Sequence, residues 1–266
     1  MPERTDVDGI AVWEWPGAPP DTLLMHGLGN YGRYWDFFAD AVAGRLHLFA
    51  PDARGHGDSP KPAEGYAADD FARDAIAVLD AKRIGRALIV AHSMGAFHAT
   101  ALTLAHMDRV RGLVIIDTGP GIEPAAGDRA RRLTLGRPDR FASADDARAY
   151  VRETSPGYTD AVYANRLAFL FQPDGDALVW RSSKDALRQT LDTVHQGPVW
   201  DRLSEITVPV LVVRGSRSPT FTPARARLTL APLRHGKLIE LDAAHNVPLD
   251  QPRALADAVV EFAKGL

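Results

Sequence analysis

A serine flanked by small residues follows a short apolar run, and this feature constrains the fold more than any other. The run is residues 87–90 (ALIV), and the segment 91–95 after it reads AHSMG. A buried strand that turns sharply at a serine and continues into a helix holds that serine in a strained conformation with its hydroxyl exposed. Ser93 is therefore a candidate nucleophile for acyl transfer, provided that a histidine and a carboxylate can activate it.

Short apolar runs alternate with helix-like segments along the chain. We interpret as strands residues 10–13, 22–25, 46–50, 87–91, 112–116, 210–213 and 238–241. Apolar residues recur at helical spacing in segments 69–79, 95–104 and 252–262. Continuous apolar runs are typical of strands buried on both faces. The alternation predicts an α/β fold with a mostly parallel sheet and helices on both of its sides.

Residues 121–206 interrupt this alternation. They contain no convincing strand, but helix-like pieces occur at 145–151, 163–171 and 183–194. Such an excursion predicts a helical cap over the carboxyl edge of the sheet, where open α/β sheets bind ligands. The alternative is a longer run of ordinary packing helices, which loop-length statistics disfavour. We therefore predict a core domain formed by residues 1–120 and 207–266, and a cap formed by residues 121–206.

Composition excludes several classes of protein. The net charge of -3, with Arg and Asp intermixed, provides no basic face for nucleic acid. The absence of cysteine excludes disulfides, thiol nucleophiles and thiolate metal sites. Residues 1–20 contain no apolar run, and no apolar stretch approaches the ~18 residues of a membrane span. We expect a soluble cytoplasmic protein with no nucleic-acid or membrane partner, and the oligomeric state stays open.

A glycine-containing loop follows the strand 22–25. Segment 25–29 reads MHGLG, and glycines leave backbone N–H groups accessible. Two such groups aimed at one point stabilise the oxyanion of a tetrahedral intermediate. The N–H groups of Leu28 and Met94, the latter directly after the serine, are the natural pair. The alternative is that His26 and Gly27 only make a tight turn.

Two further loops contain candidate histidines. Segment 52–59 (DARGHGDS) suits a structured turn in which Asp52 and Arg54 form an ion pair and His56 has a structural role. Segment 243–248 (AAHNVP) follows the last strand, so His245 can reach back over the sheet to the serine. We therefore assign His245 as the base. Three other histidines lack a surrounding motif and are expected to be structural: His98, His106 and His195.

The order and spacing of these motifs resemble those of the α/β-hydrolase fold family, of its capped, esterase- and lactonase-like kind. The resemblance covers essentially the whole chain. It rests on His26-Gly27, the 52–59 loop, the Ser93 segment and His245. One small departure is Ala91, which occupies the place of the first glycine usually found in this turn.

A second departure concerns the acid. The family usually carries it in the loop after the strand that corresponds to 210–213, and that position falls near Ser218. No Asp or Glu occurs from residue 206 to residue 239. Some members supply the acid from the neighbouring strand end, and Asp117 directly follows the strand 112–116. The resemblance therefore implies that Asp117 is the acid; the alternative is that it caps a turn.

The resemblance implies a serine hydrolase without metal or cofactor, acting on a small-molecule, mainly apolar ester, lactone or related acyl bond. Ser93 would attack, His245 would act as base and then as acid, and Asp117 would hold the imidazole. Candidate substrate contacts are His26, Gly27, Trp35, Phe169 and Trp180. The aromatic residues of the cap indicate a mainly apolar substrate pocket. The alternative is that they pack the cap's own small core.

Three alternative functions stay open. Carbon–carbon bond hydrolysis and perhydrolysis both reuse the same three catalytic residues. The third is a ligand-binding protein on the hydrolase scaffold, in which the loss of the usual acid has abolished catalysis.

Overall fold

The computed structural model of this chain describes residues 2–121, 123–194 and 198–266. His195, for which the sequence predicts a structural role, lies outside the described residues, as do residue 122 and residues 196–197 of the predicted cap. Within these ranges, no helix combines the length and the apolar character that crossing a membrane requires. The cytoplasmic location stays a prediction.

The described residues form two sheets. Their strands are β1 (Glu3–Val7), β2 (Ile10–Trp15), β3 (Asp21–Met25), β4 (His47–Pro51), β5 (Ala87–His92), β6 (Val110–Ile116), β7 (Arg140–Phe141), β8 (Phe171–Asp174), β9 (Ala177–Trp180), β10 (Val210–Gly215) and β11 (Gly236–Leu241). The larger sheet has the order β1-β2-β4-β3-β5-β6-β10-β11. Only the pairs β1–β2 and β2–β4 are antiparallel, so the predicted mostly parallel sheet is confirmed.

Helices flank the larger sheet and connect its strands. They are α1 (Asp36–Val42), α2 (Ala68–Ala81), α3 (Met94–Ala105), α4 (Pro124–Leu135), α5 (Ala144–Thr154), α6 (Asp160–Leu170), α7 (Lys184–Thr193), α8 (Pro223–Leu230), α9 (Val247–Asp250) and α10 (Pro252–Ala263). Shorter 3-10 helices span Gly32–Trp35, Met107–Arg109 and Trp200–Glu205. Each helix predicted from apolar spacing is present, within a few residues of its expected bounds.

The core lies on both faces of the sheet, and the central strand β5 contributes alternate side chains to the two layers. Leu88 and Val90 pack in the layer that contains α1 and α10. Ile89 and Ala91 pack in the layer that contains α2 and α3. Each fully buried aliphatic side chain contributes about 1.5–3 kcal/mol. This two-sided burial fixes β5, and with it the turn that begins at its carboxyl end.

Two features of the strands differ from the prediction. β1 is not predicted from the sequence, because its residues are mostly polar and exposed. β11 is not buried on both faces, since it is the edge strand and exposes Lys237 and Glu240. The apolar run therefore predicts this strand correctly, but the prediction that the strand is buried on both faces is wrong.

The segment 121–206 contains helices α4 to α7, but the interpretation that it lacks strands is wrong. β7, β9 and β8 form a small antiparallel sheet within it. These strands are two to four residues long, too short for a recognisable apolar period. β8 and β9 are joined by a two-residue turn in which Gly175 has a φ of +62°, a conformation that glycine adopts readily. The assignment of 121–206 as a separate cap domain stays a prediction.

Candidate active site

Ser93 lies at the sharp turn between β5 and α3. Its φ of 53° and ψ of -121° place a residue with a Cβ in a conformation that non-glycine residues rarely adopt. Its N–H donates to the carbonyl of Ile116 (3.0 Å), and its carbonyl accepts from the N–H of Ala96 (2.9 Å). These bonds to the neighbouring strand and to the first turn of the helix hold the hydroxyl at the carboxyl edge of the sheet.

Glycine is required at positions 27 and 95 because neighbouring atoms leave little room for a Cβ there. A Cβ on Gly95 would lie 2.4 Å from the carbonyl oxygen of Met25 and 2.6 Å from that of His26. A Cβ on Gly27 would lie 3.0 Å from Nδ1 of His92 and 3.2 Å from Cβ of Ser93. The loop after β3 therefore packs directly against the serine turn, which brings the two predicted oxyanion-hole residues to one place.

His245 follows β11 and lies beside the serine. Its Nε2 is 3.1 Å from Oγ of Ser93, and its Nδ1 is 2.8 Å from Oδ2 of Asp117. In the neutral imidazole, Nδ1–H donates to the carboxylate and leaves Nε2 to accept the serine proton. This is the arrangement of nucleophile, base and orienting acid that acyl transfer uses.

Asp117 occupies the position at the end of β6 at which the sequence places the acid. It is 1% exposed and has a φ of +54°. Oδ1 accepts from the N–H of Gly215 (2.8 Å), and Oδ2 accepts from the hydroxyl of Ser218 (2.5 Å). Ser218, at the usual acid position, therefore contacts the carboxylate and has no hydrogen bond to the histidine ring in the described part of the chain.

Thr220 is a site residue that sequence reasoning missed. Its Oγ1 lies 2.9 Å from Nδ1 of His245 and 3.4 Å from Oδ2 of Asp117. The hydroxyl therefore contacts both members of this pair. Its place in the loop after β10, next to the usual acid position, is the signal that could have identified it.

The ring of His92 contacts the backbone of His245. Its Nε2–H donates to the carbonyl of His245 (2.8 Å), and burial lowers the pKa of His92 well below its usual value. The ring is therefore neutral near pH 7, and its Nδ1 faces the hydroxyl of Tyr34 at 3.4 Å. His92 therefore supports the backbone of the loop that carries His245, a residue distant from it in the sequence.

The loop that contains Leu28 is fixed on both sides. The N–H of Gly29 donates to Nε2 of His56 (3.0 Å), and the N–H of Asn30 donates to the carbonyl of Gly27 (3.1 Å). Within the described ranges, the N–H groups of Leu28 and Met94 have no protein acceptor. Both residues line the cavity above Ser93. Their assignment as the oxyanion hole stays a prediction.

The cavity above Ser93 has a volume of about 220 Å³. Apolar side chains of the loop and of the 121–206 segment form part of its wall: Leu28, Ala130, Leu191 and Val194. Polar side chains form the rest, among them Asn30, Thr118, Thr134, Thr220 and Asn246. Of the predicted substrate contacts, Gly27 lines this cavity.

Two predicted substrate contacts are wrong because their side chains are buried elsewhere. Trp35 is fully buried and packs edge-on against Tyr34 and Phe38 in the core. His26 is 1% exposed, and both of its ring nitrogens are engaged. Its Nε2 accepts from the N–H of Ala53 (3.0 Å), and its Nδ1–H donates to the carbonyl of Gly27 (2.8 Å). His26 therefore joins two loops, as in the turn-forming alternative.

The predicted contacts of Phe169 and Trp180 are also absent from the Ser93 cavity. Phe169 stacks on Tyr31, with the guanidinium of Arg33 above its ring at 4.6 Å. Trp180 packs against Phe171 and donates from Nε1 to the carbonyl of Pro138 (2.7 Å). Both rings contribute to packing, as in the alternative for the cap aromatics, but Trp180 also lines a neighbouring cavity, and its substrate contact stays a prediction.

The predicted ion pair in the 52–59 loop is wrong. Arg54 pairs instead with Asp74 of α2 at 2.6 Å. Asp52 accepts hydrogen bonds from the backbone N–H groups of Gly32 (2.5 Å) and Asp58 (2.8 Å). These bonds fix the loop in place of the predicted ion pair. The structural role of His56 is confirmed, because this buried ring accepts from the N–H of Gly29.

The parallel sheet, the serine turn and the histidine after the last strand together define an α/β-hydrolase. Residues 22–258 match the model of the alpha/beta hydrolase family, and the chain belongs to this family. It is accordingly an enzyme of the α/β-hydrolase fold.

Several characterised proteins are similar to this chain. The 2-(acetamidomethylene)succinate hydrolase of Mesorhizobium japonicum is 29% identical over 208 residues, which cover 78% of this chain and 74% of that protein. The 3-hydroxybutyrate-oligomer hydrolase of Cupriavidus necator is 27% identical to this chain, and the aligned residues cover 94% of this chain and 91% of that protein. A crystal structure of E-2-(acetamidomethylene)succinate hydrolase superposes with a TM-score of 0.89 at 28% identity and covers 99% of both chains.

Proposed function

We propose that this chain is a serine hydrolase that cleaves an ester, lactone or related acyl bond through an acyl-enzyme. One observation supports this most directly: Oγ of Ser93, the imidazole of His245 and the carboxylate of Asp117 form a continuous chain of contacts at 3.1 and 2.8 Å. The chemistry needs these three groups in this order.

In the proposed reaction, Oγ of Ser93 attacks the substrate carbonyl while its proton passes to Nε2 of His245. Asp117 stabilises the imidazolium that forms. The N–H groups of Leu28 and Met94 bind the oxyanion of the tetrahedral intermediate. The intermediate then expels the alcohol, which takes the proton from Nε2 and leaves an acyl-serine. A water molecule, deprotonated by His245, hydrolyses this ester and releases the acid.

The walls of the cavity support a small-molecule substrate with an apolar portion. Leu28 and Met94 flank the serine, and Leu191 and Val194 of the 121–206 segment lie on the cavity wall. A segment that provides part of the wall above the nucleophile supports its assignment as the cap. The names of two relatives, the 3-hydroxybutyrate-oligomer hydrolase and a 3-oxoadipate enol-lactonase of Acinetobacter baylyi, agree with ester or lactone cleavage.

The experiment is hydrolysis of p-nitrophenyl acetate and butyrate, followed by a panel of lactones, with the Ser93→Ala variant. We expect this variant to lose at least about 10³-fold of the activity. A fluorophosphonate should label Ser93 in the wild type and leave the variant unlabelled. Ser204→Ala, at an exposed serine, is the matched control.

Two results would overturn the proposal. One is a Ser93→Ala variant that retains wild-type turnover. The other is saturable ligand binding by the wild type without turnover on any ester or lactone, which would favour the ligand-binding alternative.

A further inference from the structure

A second cavity, of about 140 Å³, adjoins the Ser93 cavity. Thr134 of α4 lines both cavities, and Gly29, next to Leu28, lines the second. We call it the arginine cavity, because Arg137 and Arg166 both line it. Among the described residues that line it there is no Asp or Glu, whereas Tyr150, Thr154 and Ser155 supply hydroxyl groups.

Two helices extend from one cavity to the other. α4 contributes Ala130 to the Ser93 cavity and Leu133 to the arginine cavity. α7 contributes Leu191 to the first and Leu187 to the second. Residues three or four positions apart lie about 4.5–6 Å apart along a helix axis. A group bound in the arginine cavity would therefore lie roughly one to two helical turns from the reacting carbonyl.

Arg166 of α6 has no counter-ion among the residues that the structure describes. Within the described ranges, its guanidinium makes no hydrogen bond or ion pair, and its Nε is buried without an acceptor. Several other arginines of the 121–206 segment are paired, among them Arg131 with Asp192 at 2.9 Å and Arg152 with Asp160. A half-buried cation without a partner is costly, and an anionic ligand would compensate it.

Arg137 presents a second cation that the protein leaves incompletely satisfied. It is 6% exposed, stacks over Trp180 at 4.3 Å, and donates to Oγ and the carbonyl of Ser182. Its Nε has no acceptor. Burial lowers the pKa of Arg137 to about 10, so the group is still protonated at pH 7. The nearby Asp139 is exposed and pairs with Lys184 instead.

We propose that the arginine cavity is an anion subsite that binds a carboxylate of the substrate, held between Arg137 and Arg166. This inference rests on the proposed function and narrows it: the substrate is an ester or lactone that carries a carboxylate several atoms from the scissile carbonyl. Guanidinium groups match carboxylate geometry, and charge-assisted hydrogen bonds are the strong ones. Leu133, Leu170 and Leu187 in the same cavity accommodate the methylene groups that precede the carboxylate.

The test compares mono-p-nitrophenyl adipate and suberate with their methyl-capped diesters. The wild type should show a kcat/KM about 10- to 100-fold higher on the free acids. Arg166→Met, which keeps an unbranched apolar stem but removes the charged guanidinium, should reduce this ratio towards one, and Arg166→Lys should retain part of it. Arg148→Met is the matched control, because Arg148 lies on the cap surface and pairs with Asp145.

The inference is overturned if the wild type does not distinguish free acids from methyl esters, or if Arg166→Met leaves the ratio unchanged. If no ester of either kind is cleaved, the proposed function fails, and the subsite is tested by itself. Calorimetric titration of the full chain with suberate should then show binding that Arg166→Met weakens at least about 10-fold. Equal binding by both proteins would overturn the subsite.

Discussion

Oδ2 of Asp117 lies 2.8 Å from Nδ1 of His245, although the two residues are 128 positions apart in the chain. The contact follows from the order of the strands. β6, which Asp117 directly follows, lies between β5 and β10, and β11 follows β10. The carboxyl ends of these four parallel strands meet at one edge, so serine, acid and histidine converge there. The proposed acid therefore follows the strand next to the one that carries the serine.

Replacement of Asp117 by Asn should lower kcat by about 10⁴, because an amide cannot stabilise the imidazolium by charge. Asparagine tolerates the positive φ of this position, so the variant should fold. Hydrolysis of p-nitrophenyl butyrate and the thermal unfolding midpoint provide the two measurements. Ser218→Ala is the control and should have a much smaller effect. If Ser218→Ala proves the more damaging change, Asp117 has only a structural role.

Restoring the acid at the usual position should rescue the Asp117→Asn variant in part. The Ser218 hydroxyl already lies 2.5 Å from Oδ2 of Asp117, so an aspartate there reaches the same region. We expect Asp117→Asn/Ser218→Asp to recover about 10- to 100-fold of the lost kcat. Ser218→Asp alone places two carboxylates in contact, which raises the pKa of one of them. Its pH–rate profile should therefore shift, and a double variant as inactive as Asp117→Asn would refute the rescue.

Alanine at position 95 should be poorly tolerated. Its Cβ would lie 2.4 Å from a backbone oxygen of β3, and backbone atoms cannot move away as a flexible side chain would. We expect Gly95→Ala to lower the free energy of unfolding by about 1–3 kcal/mol and to reduce activity. Urea denaturation measures the first quantity. Gly85→Ala is the matched control, because a Cβ there has no neighbour within 4 Å, and equal stability of both variants would contradict the clash.

Three buried histidines should make the fold sensitive to mild acid. Burial lowers the pKa of His26 to about 4, and the pKa values of His56 and His92 are also depressed. Below pH 6.5 the unfolded chain takes up protons at these sites and the folded chain does not, so the free energy of unfolding falls as the pH decreases. His26 alone should contribute a loss of about 2 kcal/mol by pH 5.

Urea midpoints between pH 7.5 and 5 test this. His26→Gln removes one of the three groups and should give a shallower pH dependence, whatever its stability at pH 7.5. A variant with the same slope as the wild type would show that His26 titrates normally in the folded state.

The sheet and the three catalytic candidates could be predicted because their signals are local. Apolar runs bounded by Gly, Pro and Asp identify buried strands. Ser93 and Asp117 directly follow β5 and β6, and His245 lies in the loop that begins at the end of β11. In a parallel sheet those ends share one edge, so position along the chain is enough to predict proximity.

The substrate contacts could not be predicted in the same way. Trp35 and Phe169 are aromatic residues near the site, but the direction of a side chain depends on packing by distant elements. The partner of Arg54 is Asp74 on α2, which only the tertiary arrangement brings near. Arg166 carries no local motif. Its proposed role rests on the lack of an ion-pair partner in the described part of the chain, which is a property of the folded molecule.

The contact between Ser218 and Asp117 has a consequence for the history of such enzymes. A successful rescue by Ser218→Asp would mean that two adjacent strands end close enough to one imidazole for either of them to carry its carboxylate. An ancestral chain could have relocated this group through an intermediate that carried both acids, without an inactive step. Members of the family that appear degenerate because the customary loop lacks an acid should therefore be assayed before they are classed as dead enzymes.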